Sequence, residues 1–175
     1  MKNNMMKSIV VLTAICLVVS AALAVTNHFT APIIEKAAAE AAREALFEIF
    51  PDAEDFEELT GKEVPASVKA VYRETSGQGF VIELAAAGYG GATSPISMVV
   101  GIDNTGAIVK TVIVSCSGET PGKGDVIAKD NFLSQFIGKD ENLTGVTAIS
   151  GSTISSQAVI DAVYDAFLAY KEALK

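Results

Sequence analysis

A run of hydroxyl-bearing residues and glycine just ahead of a long amphipathic segment is the part of this sequence best suited to chemistry. Six of the seven residues from 150 to 156 are Ser, Gly or Thr, and a short apolar stretch precedes them. A helix that begins here would present backbone N–H groups without intrahelical partners, at the partly positive end of its dipole. Such an end suits an anion, above all a phosphate. The alternative is that these hydroxyl groups only cap the helix, which Ser and Thr do well.

Two other stretches combine turn residues with groups that can contact a ligand. Residues 119–124 read ETPGKG, and one Pro with two Gly in six positions predicts a rigid turn with exposed backbone N–H groups. Residues 88–91 read GYGG, a composition that permits close approach of the backbone to a ligand. This loop is not a dinucleotide-binding fingerprint, because no βαβ unit surrounds it. Taken alone, it is more simply a turn.

Composition argues against several classes of function. The net charge is −8 and no Lys/Arg cluster is present, which disfavours binding to nucleic acid or to anionic lipid through a basic face. Cys16 and Cys116 lie in a membrane-like segment and a predicted strand, so they are poor candidates for a mutual disulfide. His28 is the single histidine, which argues against multi-histidine metal sites and, unless His28 itself serves, against a Ser-His triad. We predict no metal site and no catalytic side chain.

An apolar segment near the N-terminus predicts a membrane anchor. Residues 8–25 contain no charge over 18 positions, and a helix of that length spans about 27 Å, just enough for a bilayer core. Because Lys2 and Lys7 precede the segment, the positive-inside rule places the N-terminus in the cytoplasm and the rest outside. The alternative is a cleaved signal peptide, with an A-x-A site at residues 22–24. The apolar run exceeds the usual signal-peptide core of about 7–15 residues, which favours the anchor.

The rest of the chain predicts an α+β fold. Pro32 is placed to begin a helix that continues through residues 35–50, with Ala38, Ala42, Ala45 and Leu46 on one face together with Phe50. Residues 52–63 are acidic and read as a loop. Apolar or β-branched runs at 68–74, 79–86, 97–102 and 107–115 are separated by turns and predict an antiparallel sheet.

Two helices are predicted beyond the sheet. Residues 125–139 read as a helix, and its core-facing side chains would be Val126, Ile127, Phe132 and Phe136. A last helix runs to the C-terminus and packs on the sheet, because its apolar residues recur at spacings of three and four. They are Val159, Val163, Phe167, Tyr170 and Leu174.

Residues 150–155 (SGSTIS) resemble the S/T-G-A-T-x-T/S motif of the FMN-binding domain found in the G subunits of Rnf complexes. The C subunit of the sodium-pumping NADH:quinone reductase carries a similar motif. In that family a flavin transferase of the ApbE type joins FMN, through its phosphate, to the last hydroxyl of the motif, which is Ser155 here. Ser152 stands where Ala is usual, Ser155 where Thr is commoner, and Thr147 where an acidic residue often sits. A serine hydroxyl forms the same phosphoester.

Three further segments add to the resemblance. Residues 119–124 are similar to the family's E-T-P-G-L-G loop, which lies against the isoalloxazine ring and phosphate, with Lys123 in place of Leu. Residues 88–91 are similar to its Gly-Tyr-x-Gly loop, and residues 135–139 to its Q-F-x-G-K segment. The resemblance implies FMN joined covalently to Ser155. The other cofactor-binding residues it implies are Ser150, Gly151, Ser152, Thr153, Glu119, Thr120, Gly122 and Tyr89.

The implied domain order is a cytoplasmic N-terminus and transmembrane helix (1–29), a helical linker with an acidic loop (30–66) and an extracytoplasmic FMN-binding domain (67–175). The implied protein is a single-pass cell-membrane flavoprotein that relays electrons in an ion-translocating ferredoxin:NAD+ oxidoreductase of the Rnf type. It would have no turnover of its own. Its partners would be the other membrane and redox subunits and an ApbE-type flavin transferase, with no nucleic acid. Two alternatives are a stand-alone extracytoplasmic flavoprotein and a module that binds a small anion non-covalently.

Overall fold

The computed structural model describes the backbone from Lys2 to Lys175 and the side chains from Met5 onward. The chain divides into a unit that ends at Glu40 and a unit that spans Ala41–Lys175. The first unit is the N-terminal part of helix α1 (Lys2–Ile49). Its side chains from residue 5 to residue 30 are exposed, although most are apolar. By length and composition this is the one helix in the described part of the chain that could cross a membrane.

Helix α1 contains Pro32 in its interior, so the prediction that Pro32 begins a separate helix is wrong. A proline inside a helix removes one backbone hydrogen bond and crowds the preceding turn, at a cost of roughly 3 kcal/mol. The Ala-, Glu- and Leu-rich residues that follow favour the helix strongly enough to continue it.

The second unit is built on a five-stranded sheet in the order β1-β2-β3-β4-β5, with every neighbouring pair antiparallel. The strands are β1 (Phe56–Glu58), β2 (Val68–Glu74), β3 (Gly79–Ala86), β4 (Ile96–Asp103) and β5 (Ile108–Ser115). The predicted antiparallel sheet is confirmed, and the bounds of β2 and β3 coincide with the predicted runs. Strand β1 lies within the acidic segment that the sequence predicted to be a loop.

One face of the sheet is covered by α3 (Thr153–Ala173), as predicted. Alternate residues of β3 and β4, such as Ile82, Leu84 and Met98, are fully buried beneath it. Four of the predicted helix residues lie in this core: Val159, Val163, Phe167 and Tyr170. The fifth, Leu174, follows the last residue of the helix and is exposed, which corrects the prediction for that position.

The opposite face of the sheet is covered by the C-terminal end of α1. Ala45, Leu46 and Phe50 are buried there as predicted, while Ala38 is exposed. The predicted face did not include Ile49, which lies against β4 at Gly101. A Cβ on Gly101 would lie 2.1 Å from the Ile49 Cγ2 atom, so only glycine permits this approach.

The predicted helix over residues 125–139 is wrong in form but right in its buried side chains. The segment consists of a 3-10 turn (Gly124–Ala128), the short helix α2 (Asp130–Leu133) and a second 3-10 turn (Ser134–Phe136). Lys129 interrupts the segment with an extended backbone at φ −83° and ψ 145°. This break leaves Ile127, Phe132 and Phe136 all buried in the core below α3, with Val126 half-buried.

Candidate functional site

Helix α3 begins at Thr153, inside the hydroxyl-rich run, and its first turn has no side-chain cap. Ser152 occupies the N-cap position, yet within the described chain its hydroxyl makes no capping hydrogen bond. The Ser152 Oγ atom is buried and has no hydrogen-bond partner among the described residues. The first N–H groups of a helix also lack intrahelical partners. The Ser152 hydroxyl therefore does not cap the helix, as the capping alternative would require. The N–H groups at this end of the helix remain able to donate hydrogen bonds to an anion.

Ser156 has a structural role at this helix end. Its hydroxyl donates to the Ser152 carbonyl at 2.8 Å and accepts from the Ile149 N–H at 3.0 Å. The side chain is fully buried. Ser156 therefore holds the turn that precedes α3, and its oxygen is engaged on both sides.

Ser155 makes a different contact. Its side chain is 3% exposed, and its hydroxyl donates to the Oε2 atom of Glu119. Glu119 is itself buried, and its Oε1 atom accepts from the Tyr89 N–H at 2.9 Å and from the Gly90 N–H at 3.5 Å. One carboxylate thus joins the GYGG loop, the ETPGKG turn and the first turn of α3. The three motifs that the sequence singled out meet at Glu119.

Two glycines make room for this carboxylate. A Cβ on Gly124 would lie 2.6 Å from Glu119 Oε2 and 3.1 Å from Ser155 Oγ. A Cβ on Gly88 would lie 2.3 Å from Glu119 Oε1. Both distances to the carboxylate are shorter than real Cβ contacts, so a side chain at either position would displace the carboxylate.

The turn at residues 119–124 is tighter than the sequence predicted. Gly122 has a φ of +75°, and the N–H groups of Lys123 and Gly124 both donate to the Thr120 carbonyl, at 3.0 and 2.8 Å. The expectation that this turn exposes its N–H groups is therefore wrong for these two residues. Its contribution to the site comes instead from the Glu119 carboxylate and the Lys123 ammonium.

A cavity of about 570 Å³ opens beside the Ser155–Glu119 pair. Its size falls within the range of roughly 300–1,000 Å³ that small-molecule sites occupy. It is lined by Tyr89, Glu119, Thr120, Lys123, Gly124, Gly151, Ser152, Thr153, Ile154 and Ser155. Seven of the nine predicted site residues lie in this lining. The other two, Gly122 and Ser150, line a neighbouring cavity of about 380 Å³.

Three lining residues are not in the predicted set: Lys123, Gly124 and Ile154. All three belong to the two motifs, so their positions in the chain were the available signal. In the sequence, Lys123 is a departure from the Leu of the family motif that adds a positive charge. As the only basic residue among those lining the cavity, it complements a negatively charged group.

The surroundings of Cys116 disfavour a reactive thiolate near this site. Burial, together with the Asp125 and Glu119 carboxylates, raises the pKa of the Cys116 thiol above its usual value. A thiol of raised pKa stays protonated near neutral pH and is a poor nucleophile. No group of His, Cys, Asp and Glu in the described residues is arranged to hold a metal ion. Among the residues that line the cavity, the groups available for chemistry are therefore hydroxyl groups, one carboxylate and one lysine, beside the N-terminal end of a helix.

Together these features define a class of protein. An α+β domain with a long apolar N-terminal helix holds, beside an open cavity, a buried hydroxyl in the first turn of a helix. That turn lacks a cap, a lysine faces the same space, and the Tyr89 side chain is exposed at the cavity wall. This arrangement fits a phosphate-bearing aromatic cofactor.

Comparisons with known proteins agree with this class. Residues 88–167 match the FMN-binding domain family, and residues 1–49 match the RnfG N-terminal region. The chain is 37% identical to the G subunit of the ion-translocating oxidoreductase complex of Methanosarcina acetivorans, over 91% of each chain. It is 30% identical to the G subunit of the Na(+)-translocating ferredoxin:NAD(+) oxidoreductase complex of Acetobacterium woodii, over 94% of this chain and 91% of the relative. It is 29% identical to the proton-translocating counterpart from Clostridium ljungdahlii, over 89% and 85%.

The chain therefore belongs to the family of G subunits of Rnf-type ion-translocating oxidoreductase complexes. Its second unit contains an FMN-binding domain. Both conclusions confirm the family that the sequence motifs indicated.

Proposed function

We propose that this chain is the flavin-carrying subunit of a membrane-bound ferredoxin:NAD+ oxidoreductase, with FMN joined through its phosphate to Ser155. The observation on which this rests is the position of the Ser155 hydroxyl. It lies in the first turn of an uncapped helix, on the wall of a cavity, and donates to a buried carboxylate. When bound, FMN supplies the electron-transfer chemistry, and the protein supplies attachment, orientation and electrostatic environment.

The residues present fit the phosphate of FMN. The unpartnered Ser152 hydroxyl and the first-turn N–H groups of α3 are donors for phosphate oxygens. The Lys123 ammonium adds a positive charge on the same cavity wall. Tyr89 is 68% exposed at this cavity, where its ring can lie against an aromatic cofactor.

The choice of Ser155 over its neighbours rests on what each hydroxyl contacts. Ser156 is fully buried and already bridges Ile149 and Ser152. Thr153 is exposed, and in the described contacts of the site it is Ser155, not Thr153, that donates to Glu119. A hydroxyl that faces the cavity and is held by a proton acceptor is the better attachment point.

We further propose the partners and orientation of the chain. The named relatives are subunits of ion-translocating complexes, so this chain would relay electrons between the cofactors of other Rnf subunits. Covalent loading would be carried out by a flavin transferase of the ApbE type. The apolar part of α1 would anchor the chain with its N-terminus in the cytoplasm and the flavin domain outside. A covalent bond is advantageous there, because FMN released outside the cell is lost by diffusion.

The test is the intact mass of the full chain purified from cells that also express an ApbE-type transferase. The wild-type chain should gain the mass of one FMN less water, traced by peptide mapping to Ser155, and its denatured band should fluoresce. Ser155→Ala should remove both signals, while Ser156→Ala and Thr153→Ala should keep them. An unmodified wild-type mass, or fluorescence that persists in Ser155→Ala, would contradict the assignment. An unmodified and colourless chain would favour the anion-binding alternative.

A further inference from the structure

We infer that Glu119 is the catalytic base that takes the proton of the Ser155 hydroxyl when the flavin phosphate is joined to it. This inference rests on the proposed function, because it assigns a role in the covalent attachment at Ser155. It concerns how the chain takes part in its own loading, a step in which the acceptor protein would otherwise be passive.

The geometry of Glu119 suits a base. Its Oε1 atom is held by the Tyr89 N–H at 2.9 Å, which leaves Oε2 directed at the Ser155 hydroxyl. The residue is only 5% exposed, and the glycines at 88 and 124 leave the room that its carboxylate occupies. A base that is already hydrogen-bonded to the proton it removes meets the first geometric requirement of general base catalysis.

No other side chain lining the cavity can serve in this way. Among its lining residues, Glu119 is the only carboxylate, and residues 41–175 contain no histidine. Lys123 is the only amine in the lining, and it suits the negative charge of a phosphate rather than the removal of a proton. The described contacts therefore give Ser155 one proton acceptor.

The reaction balances with a flavin dinucleotide as the co-reactant. Joining FMN itself to serine would require water as the leaving group, so the donor must contain an activated phosphate. In a flavin dinucleotide the Ser155 Oγ atom attacks the flavin-side phosphorus, and an Oγ–P bond forms. The phosphoanhydride bond breaks and a nucleoside monophosphate leaves with the electron pair of that bond. The hydroxyl proton passes to Glu119 Oε2, as the catalytic aspartate of protein kinases accepts the proton of a substrate hydroxyl.

The product state is also consistent with this role. The new phosphodiester carries a negative charge beside Glu119, and two adjacent buried anions disfavour each other. Once Glu119 has accepted the proton, its neutral carboxyl group can donate a hydrogen bond to the ester. A single proton transfer thus activates the hydroxyl and removes the repulsion that the product would otherwise meet.

The experiment measures the rate of covalent loading of the full-length apo chain, purified in detergent from cells without a flavin transferase. Purified ApbE-type transferase and flavin adenine dinucleotide are added, and loading is followed by intact mass and in-gel fluorescence. Glu119→Gln retains the shape and the acceptor for the Tyr89 N–H but cannot take a proton. Asp125→Asn is the matched control, because it is another acid-to-amide change near the site at a residue that does not line the cavity.

Glu119→Gln should lower the loading rate by about 100-fold or more, the usual contribution of a general base. Binding of free FMN, measured by quenching of its fluorescence, should not weaken, because the amide removes a negative charge beside the phosphate. A loss of loading rate without a loss of FMN binding separates a role in the reaction from a role in holding the flavin.

Each outcome decides a separate question. A wild-type chain that takes no flavin would overturn the proposed function and the base together. A wild-type chain loaded at Ser155, with Glu119→Gln loaded equally fast, would overturn the base alone. Should Glu119→Gln fail to fold by circular dichroism, Glu119→Asp takes its place. This variant retains a carboxylate but withdraws it from Ser155, so a slower loading rate with unweakened FMN binding supports the base, and an unchanged rate contradicts it.

Discussion

At the scale of single residues, the hydroxyl groups of residues 150–156 differ in their partners rather than in their chemistry. Ser152 has a buried oxygen with no partner in the described chain, Ser155 donates to Glu119, and Ser156 bridges two backbone groups. The sequence predicted that these residues form a helix end suited to phosphate. Only the family resemblance pointed to Ser155. The residues alone could not separate the roles of these hydroxyl groups, because the decisive partner, Glu119, lies 36 positions away from Ser155. Only the folded turns bring the two together.

Gly124 provides a test of the packing around the site. We expect Gly124→Ala to lower covalent flavin loading by at least about tenfold, because its Cβ would lie 2.6 Å from Glu119 Oε2 and displace the carboxylate from Ser155. Overpacking of this kind costs about 1–3 kcal/mol, so the domain should remain folded. Loading is measured by intact mass after incubation with transferase.

The matched control is Gly101→Ala, whose Cβ would meet the Ile49 side chain on the other face of the sheet. It should cause a similar loss of stability in urea denaturation without a loss of loading. Equal loading defects in the two variants would show that stability, rather than the position of Glu119, limits the reaction.

At the scale of elements, the strands were predictable because their apolar runs are bounded by turn residues, and the hairpin turns agree with them. Strand β1 was missed because it has only three residues and two of them, Glu57 and Glu58, are exposed acids. Its strand conformation comes from pairing with β2, where Phe56 lies opposite Glu74. Residues 125–139, which follow β5, were predicted as one helix with apolar side chains toward the core. The extended residue Lys129 divides it, and that break has no signal such as Pro or Gly in the sequence.

A buried carboxylate, Glu74, and a half-buried one, Asp103, hold the hairpin turns and should make the domain sensitive to acid. Glu74 accepts from the Ser76 N–H at 2.9 Å, the Ser76 hydroxyl at 2.7 Å and the Gln78 N–H at 2.9 Å. Burial acts to raise the pKa of Glu74, but these hydrogen bonds outweigh it and lower the pKa below the usual 4.5. The pKa of Asp103 is lowered below 3.8 in the same way, since the Thr105 hydroxyl and the N–H groups of Ala107 and Thr105 outweigh its burial.

A carboxyl group whose pKa is lower in the folded state contributes stability above its unfolded pKa, and this is lost as pH falls through the folded pKa. We therefore expect the free energy of unfolding to decline as pH falls below about 4.5. Glu74→Gln should cost about 1.5–3 kcal/mol at pH 7, the range for hydrogen bonds to charged groups. It should also flatten the acid decline. Urea denaturation from pH 7 to pH 3 measures both effects, with Glu57→Gln as an exposed control. An acid decline of unchanged slope in Glu74→Gln would contradict the role of this carboxylate.

At the scale of the whole molecule, the two units differ in how far their apolar side chains are exposed. In the second unit Ile82, Met98 and Val100 are completely buried, whereas in the first Leu17, Val18 and Leu23 are each at least 65% exposed. A helix that exposes this much apolar surface is stable in lipid rather than in water. The second unit has its own core on both faces of the sheet, so its fold does not depend on that helix face. This division matches a membrane anchor followed by a flavin domain.

The orientation of the anchor gives the last prediction. Because Lys2 and Lys7 precede the apolar segment, the flavin domain should face the outside of the cell. The thiol of Glu63→Cys, at an exposed position, should react with a membrane-impermeant maleimide in intact cells, whereas that of Asn3→Cys should react only after lysis. Both are made in a chain with Cys16→Ser and Cys116→Ser, so that no native thiol contributes. Labelling of Asn3→Cys but not of Glu63→Cys in intact cells would reverse the orientation. The intact mass of the same samples separates an anchor from a cleaved signal. Cleavage after the A-x-A site would remove the first 24 residues, and with them the label at position 3.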